Sequence, residues 1–265
     1  MEMNDSTLRY SRQMILPGIG TEGQEKLKRA KILVAGAGGL GSPALAYLTA
    51  AGVGTIGIAD FDTVTLSNLN RQILHFTPDV GIKKTDSAAG KLEKLNPQVT
   101  LIKHDLRLNL DNIEAIMGEY DLVIDATDNF TARYLISDGC YFLKKPFIEG
   151  AVVGYDGILM TVIPDQTPCY RCLYPRPPED GVLPTCNDTG ILGMTAGIIG
   201  TIQALEVVKL ILGIGETVSG RLLIFDALKS SFREIPWQRR PDCPLCGENP
   251  TIHELIEYEI KCKTK

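Results

Sequence analysis

An alternation of short apolar strands with helical stretches, a glycine-rich turn between the first such pair, and two C-x-x-C pairs in the distal half predict an α/β fold. The expected architecture is a doubly wound, Rossmann-like, mainly parallel sheet with a strand-rich, zinc-pinned C-terminal half. A polar entry leads to a helix that starts near Thr21-Glu22 and ends in basic residues at Arg29. Lys31-Ile32-Leu33-Val34-Ala35 is a short apolar run of the kind a buried strand needs, and a helical stretch follows at Pro43 to Ala51. Thr55 to Ala59 is a second strand, ending at Asp60. Ile82 to Leu95 has helical periodicity and stops before Asn96-Pro97, because the residue before proline disfavours the helical region. Val99 to Lys103 and Leu122 to Ala126 are further strands, and Phe130 to Leu143 is a further helix. Beyond about residue 145 proline and glycine become frequent, and Pro164 to Pro184 reads as a loop-rich insertion. A long helix from Ile191 and strands at Arg221 to Phe225 and Ser231 to Ile235 complete the pattern.

Composition narrows the functional classes. The 265 residues are 44% apolar and 22% charged, values that argue for an ordered chain. A net charge of −5 argues against broad nucleic-acid binding, which needs a basic surface. The polar segment Met1 to Arg12 lacks the apolar core of a secretory signal. Ile191 to Gly213 is the most hydrophobic stretch, but Gln203, Glu206 and Lys209 interrupt it, so a buried helix is expected rather than a membrane span. A cytoplasmic protein with reduced thiols is the expectation, and in that setting seven cysteines point to metal binding or catalysis.

Gly36-Ala37-Gly38-Gly39-Leu40-Gly41 fits G-x-G-x-x-G between a strand and a helix. The first glycine permits the tight turn, the second lets backbone reach a phosphate, and the third lets helix and strand pack closely. Asp60, at the end of the next strand, suits ribose hydroxyls. The motif alone does not separate NAD, FAD and ATP. No G-x-x-x-x-G-K-[ST] is present, so an ordinary P-loop is not expected. A nicotinamide dehydrogenase has no obvious need for the polar run from Asp60 through Asp62 and Asn68 to Arg71 and Gln72; Lys83-Lys84 and Thr127-Asp128-Asn129 follow it. Cations around a glycine turn hold phosphate oxygens, and a carboxylate holds Mg²⁺. Singly, each has a plainer reading: Arg71 as a surface ion-pair partner, Lys84 as a solvated helix residue, Asp128 as a helix N-cap. Cys169, Cys172, Cys243 and Cys246 supply four thiolates, enough for a closed tetrahedral zinc site, with an iron–sulfur cluster as the other metal option. His75, His104 and His253 fit no triad or metal pattern and read as structural.

These motifs, in this order, resemble the MoeB/ThiF proteins, prokaryotic relatives of ubiquitin-activating enzymes. The resemblance runs from Arg9-Tyr10-Ser11-Arg12-Gln13 to Cys243-Pro244-Leu245-Cys246. It implies one adenylation domain over residues 1–265, with a nucleotide-binding half (1–145) and a carrier-binding, zinc-bearing half (146–265). The implied reaction is ATP- and Mg²⁺-dependent adenylation of the C-terminal Gly-Gly carboxylate of a ubiquitin-like sulfur carrier, with release of pyrophosphate. By position, Asp60 would bind the ribose, Asn68, Arg71 and Lys84 the triphosphate, and Asp128 the Mg²⁺, with Asp62 and Asn129 in the same site. Arg12 would reach the γ-phosphate in a partner subunit, which implies a homodimer. Zinc is the implied occupant of the four cysteines. Cys186 matches a cysteine that becomes covalently linked to the carrier in some members and is inert in others; both readings stay open. A separate protein is expected to donate sulfur. The carrier's pathway, thiamine or molybdopterin or another, is not legible. The alternatives are adenylation of a small-molecule or tRNA-linked carboxylate, and a nicotinamide-dependent oxidoreductase, which the glycine turn alone supports.

Overall fold

The computed structural model describes residues 5–178, 190–256 and 258. Its elements run α1 (Asp5–Met14), α2 (Gly20–Arg29), β1 (Lys31–Ala35), α3 (Gly41–Ala51), β2 (Thr55–Ala59), α4 (Lys84–Leu95), β3 (Thr100–His104), α5 (Ile113–Gly118), β4 (Leu122–Asp125) and α6 (Phe130–Phe142). Then come β5 (Phe147–Val153), β6 (Asp156–Val162), α7 (Tyr170–Leu173), α8 (Gly193–Leu212), β7 (Arg221–Asp226) and β8 (Ser231–Pro236). One sheet of eight strands has the order β3-β2-β1-β4-β5-β6-β7-β8. The first five strands are parallel and the rest antiparallel. The expected α/β architecture is therefore observed, with β5 and β6 added to the strands read from sequence.

The central strands are apolar along their whole length because helices cover both faces. Alternate residues of β1 divide between two cores. Ile32 and Val34 pack with Leu45, Leu48, Ile58 and Val207, under α3 and α8. Leu33 and Ala35 pack with Ile113, Met117, Tyr134 and Leu135, under α5 and α6. The edge strands β3 and β8 are largely exposed. Among the described residues, α8 alone is long and apolar enough to cross a membrane. It is a core helix instead: Gln203 and Glu206 are fully buried, Gln203 donating to the carbonyls of Asp125 and Ile148 and Glu206 accepting from Thr161 and the Val218 amide.

The strand order reverses direction between β1 and β4, so β1 leads to β2 on one side while β4 and β5 lie on the other. The carboxyl ends of β1 and β4 therefore open a crevice, the usual ligand position in such sheets. A third, small core surrounds the four paired cysteines with Leu245 and Ile252, and packs against Tyr141 and Phe142 at the C-terminal end of α6.

Candidate active site

The glycine turn joins β1 to α3 at this crevice. Gly36 has φ +99°, and a Cβ there would meet the Ala126 carbonyl oxygen at 2.6 Å. A Cβ on Gly41 would lie 1.8 Å from the Gly36 oxygen. Both glycines are demanded by backbone contact within the chain. Gly38 is different: a Cβ there meets nothing nearer than the Gln72 amide at 3.6 Å, so the space it leaves open is available to a ligand. Gly39 faces the Arg71 side chain and Ala196 of α8. No side chain caps the N-terminus of α3, whose first amides retain their positive end.

Asp60 follows β2 and is buried. Its Oδ2 accepts from the Ala37 amide at 2.8 Å and its Oδ1 from the Asp62 amide at 2.9 Å, so it ties the glycine turn to the second strand. The crossover that follows returns Lys84, buried at the start of α4, to within 2.8 Å of Asp62 Oδ2. Asn68 closes a 3₁₀ turn by accepting from the Thr65 amide at 3.2 Å. Arg71 donates from Nη1 to the Ser67 carbonyl and to Asn70 Oδ1, both at 3.0 Å. Close packing of Gly193 on Asn70 and Arg71 sets the start of α8 against this segment.

On the β4 side, Ala126 lies against Gly36, and Thr127-Asp128-Asn129 follows. Asn129, not Asp128, caps α6: its Oδ1 accepts from the Ala132 amide at 2.9 Å. The helix-cap reading of Asp128 is thereby overturned. Asp128 is exposed and makes no hydrogen bond or ion pair among the described residues. An exposed carboxylate without a partner beside a glycine turn suits a Mg²⁺ ion, an oxygen-seeking cation that keeps several waters. Beneath the loop lies a polar group that the sequence did not reveal. Arg133 Nε is 3.2 Å from Glu149 Oε1 and 3.6 Å from Asp125 Oδ2, while Arg133 Nη2 donates to the Thr127 carbonyl. Asp125 Oδ1 accepts from both the amide and the hydroxyl of Thr127. One cation thus faces two fully buried carboxylates. Burial pushes the Glu149 carboxyl up to about 7 against the pull of Arg133, and it raises Asp125 as well.

The turn, Asp60, Asp62, Asn68, Arg71, Lys84, Asp128 and Asn129 therefore converge on one edge of the sheet. Arg12 does not join them. It is exposed on α1, which docks on the far ends of α3 and α4: Gln13 donates to the Ala51 carbonyl and Asn96 to the Tyr10 hydroxyl. The 11 residues of α3 separate that end from the glycine turn by about 16 Å. Cys186 lies outside the described residues. Gln72 was read only as part of a motif, yet it is buried beside Gly38 with Oε1 unpartnered.

The four Sγ atoms of Cys169, Cys172, Cys243 and Cys246 all lie within 4.8 Å of one another. Sulfur pairs stand at 3.8, 3.5 and 3.3 Å. A tetrahedron of thiolates about 2.3 Å from zinc has edges of about 3.8 Å, so the donor set fits that ion. All four cysteines are buried, which matches a closed structural site. Gly247 is required by the second knuckle, where a Cβ would meet the Cys243 and Pro241 carbonyls at 2.5 Å. Arg171, inside the first pair, is 1% exposed and forks onto Asp138 of α6 at 2.7 to 3.1 Å. The cluster is thus fastened to the helix whose opposite end carries Asp128. The 13 residues of α6 keep the two about 20 Å apart.

A family model described as the ThiF family matches residues 10–245. A sulfur carrier protein adenylyltransferase of Thermus thermophilus is 47% identical over 259 residues, covering 96% of each chain. The adenylyltransferase and sulfurtransferase MOCS3 of Culex quinquefasciatus is 48% identical over 263 residues, which are 99% of this chain and 60% of that protein. The crystal structure of E. coli MccB with MccA-N7isoASN superposes with a TM-score of 0.79 at 23% identity, covering 92% of this chain and 76% of that one, and shares the fold.

Proposed function

The chain belongs to the ThiF family, and from that premise we propose that it is an ATP-dependent adenylyltransferase acting on the C-terminal Gly-Gly carboxylate of a ubiquitin-like sulfur carrier. One observation carries the reading: a glycine turn with an open face at Gly38 meets Arg71, Lys84 and an unpartnered Asp128 at the carboxyl edge of β1, β2 and β4. That set accepts a triphosphate with its metal, and nothing in it serves hydride transfer.

The chemistry asks little of acid–base groups. The carrier carboxylate is already an anion at neutral pH. Its oxygen bonds to the α-phosphorus, the bond from that phosphorus to the β-bridging oxygen breaks, and pyrophosphate leaves with the electron pair. The barrier is the approach of one anion to another. The turn amides, Arg71 and Lys84 offset that charge, and Asp60 holds the ribose. In the free protein Lys84 is paired with Asp62, so its charge is held ready in the crevice. Asp128 would hold Mg²⁺, which would supply further charge neutralisation on the phosphates. The four cysteines would hold zinc, which would fasten the distal segment to α6, about 20 Å from the nucleotide edge. A glycine-ended tail suits the crevice because it brings backbone to the nucleotide without a Cβ.

Arg12 acts in the second site of a homodimer, a reading supported by its distance from the glycine turn of its own chain. The sulfur comes from a separate donor, because adenylation itself brings none to the site. Four clustered thiols able to hold a metal fit a cytoplasmic setting, where thiols are kept reduced. The proposal is tested by incubating the protein with ATP, Mg²⁺ and a Gly-Gly-ended carrier, then adding hydroxylamine. Hydroxamate at the carrier's last glycine is expected; an unmodified carrier alongside turnover of a small carboxylate would overturn it.

A further inference from the structure

The crossover between β2 and α4 buries a histidine that the adenylation scheme does not use. His75 is 3% exposed. Its Nε2 lies 2.9 Å from the carbonyl oxygen of Ala37, in the glycine turn, and its Nδ1 lies 2.8 Å from Ser87 Oγ on α4. A carbonyl only accepts, so Nε2 carries the proton. In the neutral ring Nδ1 then accepts from the Ser87 hydroxyl. Lys91 Nζ donates to Ser87 Oγ at 2.8 Å and is itself paired with Asp79. The donors run in one direction, from Lys91 through Ser87 and His75 to Ala37. The charged groups facing the ring are Lys84 and Lys91 from α4 and Asp60 from the end of β2. Burial, reinforced by the two ammonium groups and opposed by the Ala37 contact and Asp60, holds the imidazole below its ordinary value and so neutral at pH 7.

The Ala37 carbonyl and the Gly38 N–H belong to one peptide plane. In a trans peptide they point in opposite directions. A donor fixed on the Ala37 oxygen therefore aims the Gly38 N–H away from His75. That N–H makes no hydrogen bond among the described residues, and Gly38 borders the open space of the crevice. Asp60 holds the Ala37 N–H from the other side, so both polar groups of Ala37 are gripped. We propose that His75, as its Nε2–H tautomer, is a positioning residue for the nucleotide: it locks the Ala37–Gly38 peptide so that the Gly38 amide is presented to a phosphate oxygen. The inference rests on the assignment of ATP to this crevice and deepens it.

The test combines a tautomer measurement with equilibrium ATP binding. With only three histidines in the chain, ¹⁵N NMR of histidine-labelled protein resolves His75. The expected state at pH 7 is Nε2 protonated and Nδ1 bare; Nδ1 protonated would overturn the proposal even where no variant folds. His75→Phe fills the ring volume without a donor, and His75→Gln keeps an amide donor that reaches toward Ala37. ATP affinity is expected to fall about tenfold in the Phe variant and to return to within about threefold of wild type in the Gln variant, the loss of one buried hydrogen bond and its repair. The KM for the carrier is expected to stay put, whereas general damage to the fold would move it. Equal ATP affinities in all three proteins, or equal losses in both variants, would overturn the proposal. ATP binding is measured without a carrier, so a wild-type protein that binds ATP but adenylates no carrier defeats the functional reading and leaves this one decided by its own data.

Discussion

Gly38 and Gly41 occupy the same motif and do opposite work. Gly41→Ala places a Cβ inside a backbone carbonyl and is expected to destabilise the fold by about 3 kcal/mol or more. Gly38→Ala meets only the Gln72 amide, at an ordinary contact distance of 3.6 Å, and is expected to melt within about 2 °C of wild type, yet to bind ATP at least tenfold more weakly. Thermal melts paired with ATP titrations separate the two. Asp128→Asn is the polar counterpart: an exposed side chain without partners leaves stability within about 0.5 kcal/mol and lowers adenylation about a hundredfold. Glu149 gives a pH signature. The folded protein keeps its proton up to about pH 7, while the unfolded chain releases it near pH 4.5. The folded state therefore binds the extra proton between those values, and this residue's contribution to stability falls as pH rises through that window. Glu149→Gln mimics the protonated form, so its stability advantage over wild type should grow by roughly 3 kcal/mol from pH 4.5 to 7, as read from denaturant unfolding at each pH. A constant difference would mean that Glu149 is charged throughout.

At the scale of elements, the parallel strands β1, β2 and β4 were legible because helices cover both faces and the sequence becomes a continuous apolar run. β5 was not, because Glu149 and Gly150 interrupt it. The structure explains both: Arg133 lies 3.2 Å from the Glu149 carboxyl, and the Gln203 side chain comes within 2.7 Å of where a Cβ on Gly150 would be. Neither partner is near in sequence. The N-terminal helix α1 was hidden for the opposite reason, since its residues are mostly polar and, among those whose burial is described, Tyr10 alone is buried, against Gly52 and Asn96. The glycine turn and both C-x-x-C pairs were readable from local spacing, whereas the roles of His75, Arg133 and Glu149 depend on contacts between distant segments. The cysteine cluster makes its own prediction. Cys243→Ser is expected to lose zinc and lower the melting temperature, while ATP affinity of the folded fraction stays within about threefold, because α6 separates the two sites. Asp138→Asn, which strands the buried Arg171, is expected to cost about 3 to 5 kcal/mol in denaturant unfolding.

On the scale of the whole molecule, one chain assembles every proposed ATP contact except Arg12. If Arg12 serves the other subunit, Arg12→Ala and Arg71→Ala proteins are each inactive alone, and subunit exchange between them restores activity, since a mixed dimer contains one intact site. No recovery in a mixture shown to exchange would place Arg12 outside the reaction at the partner's site. The central claim, that this site joins AMP to a carrier's terminal carboxylate, is tested most directly by ATP–pyrophosphate exchange in the presence of each available Gly-Gly-ended sulfur carrier. The account predicts exchange with a carrier, abolished by Arg71→Ala and by deletion of the carrier's last glycine. Absence of exchange with every carrier, in protein shown to bind ATP and zinc, would contradict it.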